Sequence, residues 1–150
     1  MAKKVENITI EDARILFRNF SGKTSPQNPR GDRGFSVVLD PAVVPQLQAD
    51  GWNVKFLQPR EEGDEQTPIL NVAVRYGVVD PTVFMVQGKK KTLLDEDTIG
   101  ILDSMDIISC DMIITPYTWT VQGKSGVKAY IKNLYVNCEE DVFAGKYDFD

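Results

Sequence analysis

Two long β-type stretches, residues 106–121 and 127–136, are separated by only Gln122-Gly123-Lys124-Ser125-Gly126. Strands so close in sequence pair antiparallel, and the two glycines supply the positive φ that a hairpin loop needs. A hairpin of this length fixes a sheet to which the rest of the chain must add. Centred on Lys124, it sets Trp119 opposite Ala129, Tyr117 opposite Ile131, Thr118 opposite Tyr130, Pro116 opposite Lys132 and Cys110 opposite Cys138. One face then carries Val121, Trp119, Tyr117, Val127, Ala129 and Ile131. The other carries Thr118, Thr120, Lys128, Tyr130 and Lys132, a mixture of ring and cation.

Upstream, alternation predicts a strand over 13–20, with Ile15 and Phe17 on one face and Arg14, Leu16 and Arg18 on the other. Further strands follow over 34–40, 53–58 and 69–76, and a small hairpin over 82–87 and 91–94 turns at Gly88-Lys89-Lys90. Asp40-Pro41 opens a short helix ending near Gly51, since Asp caps and Pro suits the first helical position. Ile99, Leu102 and Met105 mark a second short helix within 95–105. Residues 21–33 and 59–68 lack any period; the first reads as a long, flexible, basic loop and the second as an acidic connection. Many strands with few short helices predict an all-β fold, an open or closed antiparallel barrel rather than a strand-helix alternation. No repeat or linker divides the chain, so one domain over 1–138 and a tail over 139–150 are expected.

The chain has no histidine. That removes the usual general base, the Ser-His and Cys-His nucleophile pairs and the commonest zinc ligand together. Carboxylate-only chemistry is left as the least favoured reading, with Asp95, Glu96, Asp97 and Asp103 as its nearest approach to a magnesium site; ordinary helix capping and a solvated helix face account for these acids. No enzyme, cofactor or metal is expected. Cys110 and Cys138 are too few for a disulfide framework and read as buried thiols. No apolar run reaches membrane-spanning length, and the first residues lack the apolar core of a signal peptide, so a cytoplasmic location without membrane contact is expected.

A net charge of −5 argues at first against a nucleic-acid ligand. Residues 139–150 alone contribute −4, however, leaving the body of the protein at −1. Within that body the cations cluster: Arg14 and Arg18 on the first strand, Lys23, Arg30 and Arg33 in the 21–33 loop, Lys55, then Arg75 beside Tyr76, and Lys128 and Lys132 flanking Tyr130. With Trp119 these form a candidate groove for a single-stranded nucleic acid, in which bases stack on rings while Lys and Arg follow the phosphates. Lys89-Lys90-Lys91 is a second basic patch. The tail alternates acids with aromatics and suits docking on a basic, partly apolar surface; Asp141, Phe143, Tyr147, Asp148, Phe149 and Asp150 are its candidate contacts.

Residues 13–20 (ARILFRNF), 34–40 (GFSVVLD), 127–136 (VKAYIKNLYV) and the terminal KYDFD together resemble the single-stranded DNA-binding proteins of tailed bacteriophages. The resemblance implies a five-stranded OB-fold barrel with an extended C-terminal β-hairpin, with single-stranded DNA lying between the first long loop and that hairpin. It further implies action in phage DNA replication and recombination within the infected bacterial host. The acidic tail would recruit replication and recombination proteins and compete with DNA for the groove. Here Asp150 follows Phe149, whereas such tails often finish on an aromatic residue. The sequence leaves open whether the chain works as a homo-oligomer, and a structural or assembly β-barrel of a virus particle is the second reading.

Overall fold

The computed structural model describes residues 5–58, 63, 65–77 and 80–139. Among these are nine strands: β1 (Ile8–Ala13), β2 (Ile15–Asn19), β3 (Arg33–Val38), β4 (Val54–Leu57), β5 (Thr67–Val74), β6 (Thr82–Gln87), β7 (Lys90–Leu94), β8 (Ile107–Val121) and β9 (Lys124–Cys138). A 3-10 turn (Pro41–Val43) leads into α1 (Val44–Ala49), and a second 3-10 segment spans Ile99–Ser104. Asp40 caps the first as its sequence predicts, Oδ1 accepting from the Ala42 amide at 3.0 Å. The 95–105 region forms a capped turn and 3-10 helix rather than an α-helix, yet Ile99 and Leu102 are fully buried as their spacing implies.

β9 is the spine of the sheet. One edge pairs antiparallel with β8 along nearly its whole length, and the other pairs in parallel, first with β5 through Val72 and Ala73 and then with β6 over Thr82–Gln87. The hydrogen-bonded path runs β1-β8-β9-β5-β3-β2, with β4 added to β5 and β7 to β6. Its two ends, β1 and β2, are joined by Arg14 alone but do not pair with each other. The sheet is therefore open, with nine strands among the described residues: of the open and closed forms that the strand pattern allows it takes the open one, and it is not the five-stranded barrel that the resemblance implies.

The predicted single strand over 13–20 is replaced by this bent pair. Its bends sit at two residues in the left-handed region, Asp12 (φ +51°) and Phe17 (φ +54°), each beside a register shift. Such a conformation is strained for a side chain larger than glycine. At Asp12 the backbone amide is satisfied by Asp111 Oδ1 at 2.9 Å. At Phe17 the bulge breaks the alternation, so the ring leaves the face it would share with Ile15 and stands 69% exposed.

One hydrophobic cluster fills the fold, with Phe20, Val37, Val83, Cys110, Ile114, Ile131, Leu134 and Val136 at its centre. Full burial of an aliphatic side chain of this kind contributes about 1.5–3 kcal/mol. Lys132 is the extra residue of a bulge, since Ile131 pairs with Ile114 and Asn133 with Ile113. That insertion changes the parity of β9, so that Val127, Ala129 and Ile131 before it and Leu134, Val136 and Cys138 after it all turn inward. Lys132 itself remains exposed.

Candidate nucleic-acid interface

The hairpin loop is shorter than its glycines suggest. Val121 pairs with Lys124 across a two-residue turn of Gln122 (φ +50°) and Gly123 (φ +79°), the positive-φ pair of a type I′ turn. Gly126 lies within β9 with Trp119 as its partner, Tyr117 faces Lys128, and Thr115 faces Tyr130. The offset from the expected pairing is an odd number of residues, so it exchanges the two faces of one strand relative to the other. Trp119 and Tyr117 thereby join Lys128 and Tyr130 on a single face, rather than lying opposite to them. Cys110 consequently pairs with Val136, not Cys138.

Gly126 has a different purpose from the one its sequence position implies. A Cβ there would stand 2.7 Å from Trp119 Cζ2 and 2.9 Å from Cε2, well inside van der Waals contact. The indole therefore lies flat over the glycine, 40% exposed, with its ring available to solvent. Tyr117 and Tyr130 lean together at 5.5 Å between ring centroids, and Lys128 Nζ lies 5.5 Å from the Tyr130 ring. Tyr130 is buried in this arrangement while Tyr117 is half exposed.

Beside this face opens a trough of about 1230 Å³. Its walls are the 21–33 loop, β3, β5, the segment around Trp52 and the tip-proximal part of β9. Phe17, Trp119, Trp52 and Phe35 bring rings to it, Arg33 and Lys128 bring positive charge, and among the described residues Asp32 is the only acid in its lining. Ser36 Oγ donates to Asn71 Oδ1 at 2.6 Å, which leaves the Asn71 amide NH₂ without a protein partner among the described residues. The trough thus offers flat rings, cations and an amide donor, the set that unpaired bases and phosphates need.

The loop that forms one wall is braced, not structureless. Asn28 Nδ2 donates to the carbonyls of Lys23 and Asp32 while its Oδ1 accepts from the Asp32 amide. Asn19 repeats the arrangement, accepting from the Lys23 amide at 2.9 Å and donating to the Lys23 and Asp32 carbonyls. Two side-chain amides so replace the backbone ladder that this segment lacks. Gly22 and Gly31 (φ +75° and +70°) allow the two arms of the loop to meet, since a Cβ on either would press on the other's carbonyl at 2.9 Å or less.

Of the residues singled out from sequence, the trough gathers Arg33, Lys128 and Trp119. Lys23 and Arg30 sit exposed on the loop that forms its wall. The others lie outside its lining. Arg18 Nη2 donates to the Asp103 carbonyl at 3.3 Å, turning that guanidinium toward the 3-10 segment. Arg14, Lys55, Arg75 and Lys132 are exposed elsewhere on the sheet, and Tyr130 supports Tyr117. Tyr76 lies under the Arg33 guanidinium at 5.5 Å, and burial pushes its phenol up; its Oη is buried without a hydrogen-bond partner among the described residues. Arg33 is further steadied by Glu96 at 3.7 Å. Tyr76 is thus a platform for a trough cation instead of a trough residue itself. Phe17, Trp52, Phe35 and Asn71 were not among the sequence candidates, and only a positive φ that no periodicity reveals turns Phe17 outward.

The remaining sequence candidates have structural roles or lie beyond view. Asp95 caps its turn, and Asp103 accepts from the Phe20 amide (2.8 Å), the Ser21 amide (2.9 Å) and Ser21 Oγ (2.6 Å). Among the described residues no group of three or more Cys, Asp or Glu side chains is arranged to hold a metal ion. Burial pushes the Cys110 thiol up to about 12, and Cys138 is raised for the same reason. No helix among the described residues is long and apolar enough to cross a membrane. The tail candidates Asp141, Phe143, Tyr147, Asp148, Phe149 and Asp150 lie outside the described residues.

Comparison with known proteins gives one family and one fold. The family model of the phage ssDNA-binding domain matches residues 1–149. The single-stranded DNA-binding protein from bacteriophage Enc34 has a similar fold, with a TM-score of 0.56 at 10% identity over 99% of this chain and 94% of that one. The structure of the same phage protein in complex with ssDNA superimposes with a TM-score of 0.58 at 10% identity, covering 93% of this chain and 95% of that one. No curated protein matches the chain.

Proposed function

We propose that this chain, which belongs to the phage ssDNA-binding domain family, holds unpaired DNA without regard to sequence in the trough between the 21–33 loop and the tip-proximal part of the β8–β9 hairpin. The observation that carries the reading is Trp119, whose indole lies open over Gly126 on a wall shared with Lys128, in a trough that Phe17 and Arg33 also line. Rings accept any base because every base has a π-face, and among the described residues two cations with one acid give the lining a positive balance although the whole chain is acidic. The Enc34 protein has been seen with ssDNA on a comparable fold, which supports the same ligand class here. The bent β1–β2 segment at both ends of the sheet path supports an OB-type architecture, opened and extended by β6 and β7.

On this reading the protein coats and protects DNA single strands during phage replication and recombination in the host cytoplasm, acts without catalysis, and uses its acidic tail to recruit partner proteins. Titration of intrinsic fluorescence with an oligo-dT of about 30 nucleotides, long enough for one or two OB-type sites, tests it. Saturable quenching that weakens with salt is expected; no binding at low salt, with or without residues 140–150, would refute it.

A further inference from the structure

β9 ends beside β6. Gln87 pairs with Cys138, and across the β6–β7 turn Gln87 also pairs with Lys90. Because β6 and β9 run parallel, β9 ends at the same end of the sheet as the turn that carries Lys89, Lys90 and Lys91. These three lysines are exposed, and none has a carboxylate within ion-pair distance among the described residues. Next to them Phe84 and Tyr135 stack at 5.2 Å with Lys91 Nζ 4.6 Å from the Phe84 ring, and Leu93 is 63% exposed. Three cations without a carboxylate partner among the described residues thus border a strip of aromatic and aliphatic surface.

We infer that this surface is the intramolecular seat of the chain's own residues 140–150, whose Glu140, Asp141, Asp148 and Asp150 would meet the lysines while Phe143, Tyr147 and Phe149 lie along the apolar strip. Charge complementarity favours it, since those eleven residues hold four acids against Lys146 alone. Reach favours it as well. The nearest trough residue on the same strand, Ala129, lies about 30 Å back along β9 from Cys138, whereas an eleven-residue segment spans at most about 36–40 Å when fully extended. The lysine turn adjoins the exit, so the tail reaches it without losing its slack. The inference rests on the reading of the tail as a docking segment and places its resting site away from the DNA trough.

A nitroxide attached through Gly145→Cys in the otherwise complete chain tests this, because Cys110 and Cys138 are buried and leave the new thiol as the reactive one. The expected result is paramagnetic loss of amide signal at Lys89, Lys90, Lys91 and Tyr135, which disappears in the Lys89→Glu, Lys90→Glu variant and at high salt. Signal loss centred on Trp119, Gly126 and Arg33 would overturn the proposal, as would loss at no amide, or loss at the turn that persists in the double variant. Oligo-dT titration of the same samples separates this from the function itself: absent DNA binding with the turn broadened refutes only the trough.

Discussion

Replacing Gly126 by Ala separates the fold from the function more sharply than removing Trp119 does. The new Cβ would stand 2.7 Å from Cζ2, 2.9 Å from Cε2 and 3.1 Å from Nε1 of Trp119, so the indole must leave its seat. The ring is 40% exposed and swings outward with little loss of burial, and exchanging Gly for Ala within a strand recovers about 0.5–1 kcal/mol of backbone entropy. Stability should therefore hold or rise slightly. Binding should not, because a stacked base is worth about 1–3 kcal/mol, which corresponds to roughly a 5- to 160-fold weaker Kd. Urea unfolding and fluorescence anisotropy of labelled oligo-dT measure the two quantities independently. Trp119→Ala should weaken binding by a similar factor, and the double variant no more than either alone, since both remove one platform. If Gly126→Ala bound DNA as tightly as the parent while Trp119→Ala did not, the seat over the glycine would be irrelevant to binding. If both bound as the parent, the stacking argument would fail.

Other consequences follow from the same geometry. Lys128→Ala should lower the magnitude of the slope of log K against log salt by about 0.7, the single-strand value for one phosphate contact, whereas Arg18→Ala should leave that slope unchanged because Arg18 turns toward Asp103. Asp103→Ala strands the Phe20 and Ser21 amides and should lower the unfolding free energy by about 2–3 kcal/mol in urea titration. Cys110 is held neutral to about 12 in the folded state, while an unfolded thiol ionises near its ordinary value of 9.0. Unfolding then releases a proton between those values, so the thiol's contribution to stability is intact below pH 9 and is lost as pH rises toward 12; thermal melts should show that decline, and neither thiol should react with Ellman's reagent in the native protein at pH 8.

How much of this was legible in the sequence depended on whether the signal was local. The β8–β9 hairpin, the β6–β7 hairpin and the Asp40-Pro41 cap rest on neighbouring residues, and periodicity reveals them. β1 was hidden because its alternation is broken by Glu11 and by Asp12 in the left-handed region, where the strand bends. The hairpin register failed for a physical reason as well: Gly126 looks like a turn glycine, but its missing side chain serves the Trp119 ring, and φ > 0 is needed only at Gln122 and Gly123. Which cations converge is a question of topology. Arg14, Arg18 and Arg33 are close in sequence terms, yet the bend between β1 and β2 and the bulge at Phe17 send them to different places. Only Arg33, stacked on Tyr76, is brought beside Lys128 and Trp119.

Photocross-linking of oligonucleotides carrying 5-bromouracil, followed by mass spectrometry of the attached peptides, addresses the trough most directly. Adducts are predicted at Trp119 and Phe17, on strands far apart in sequence but lining one cavity. Adducts confined to Phe84 and Tyr135, or to no ring in that cavity, would contradict it.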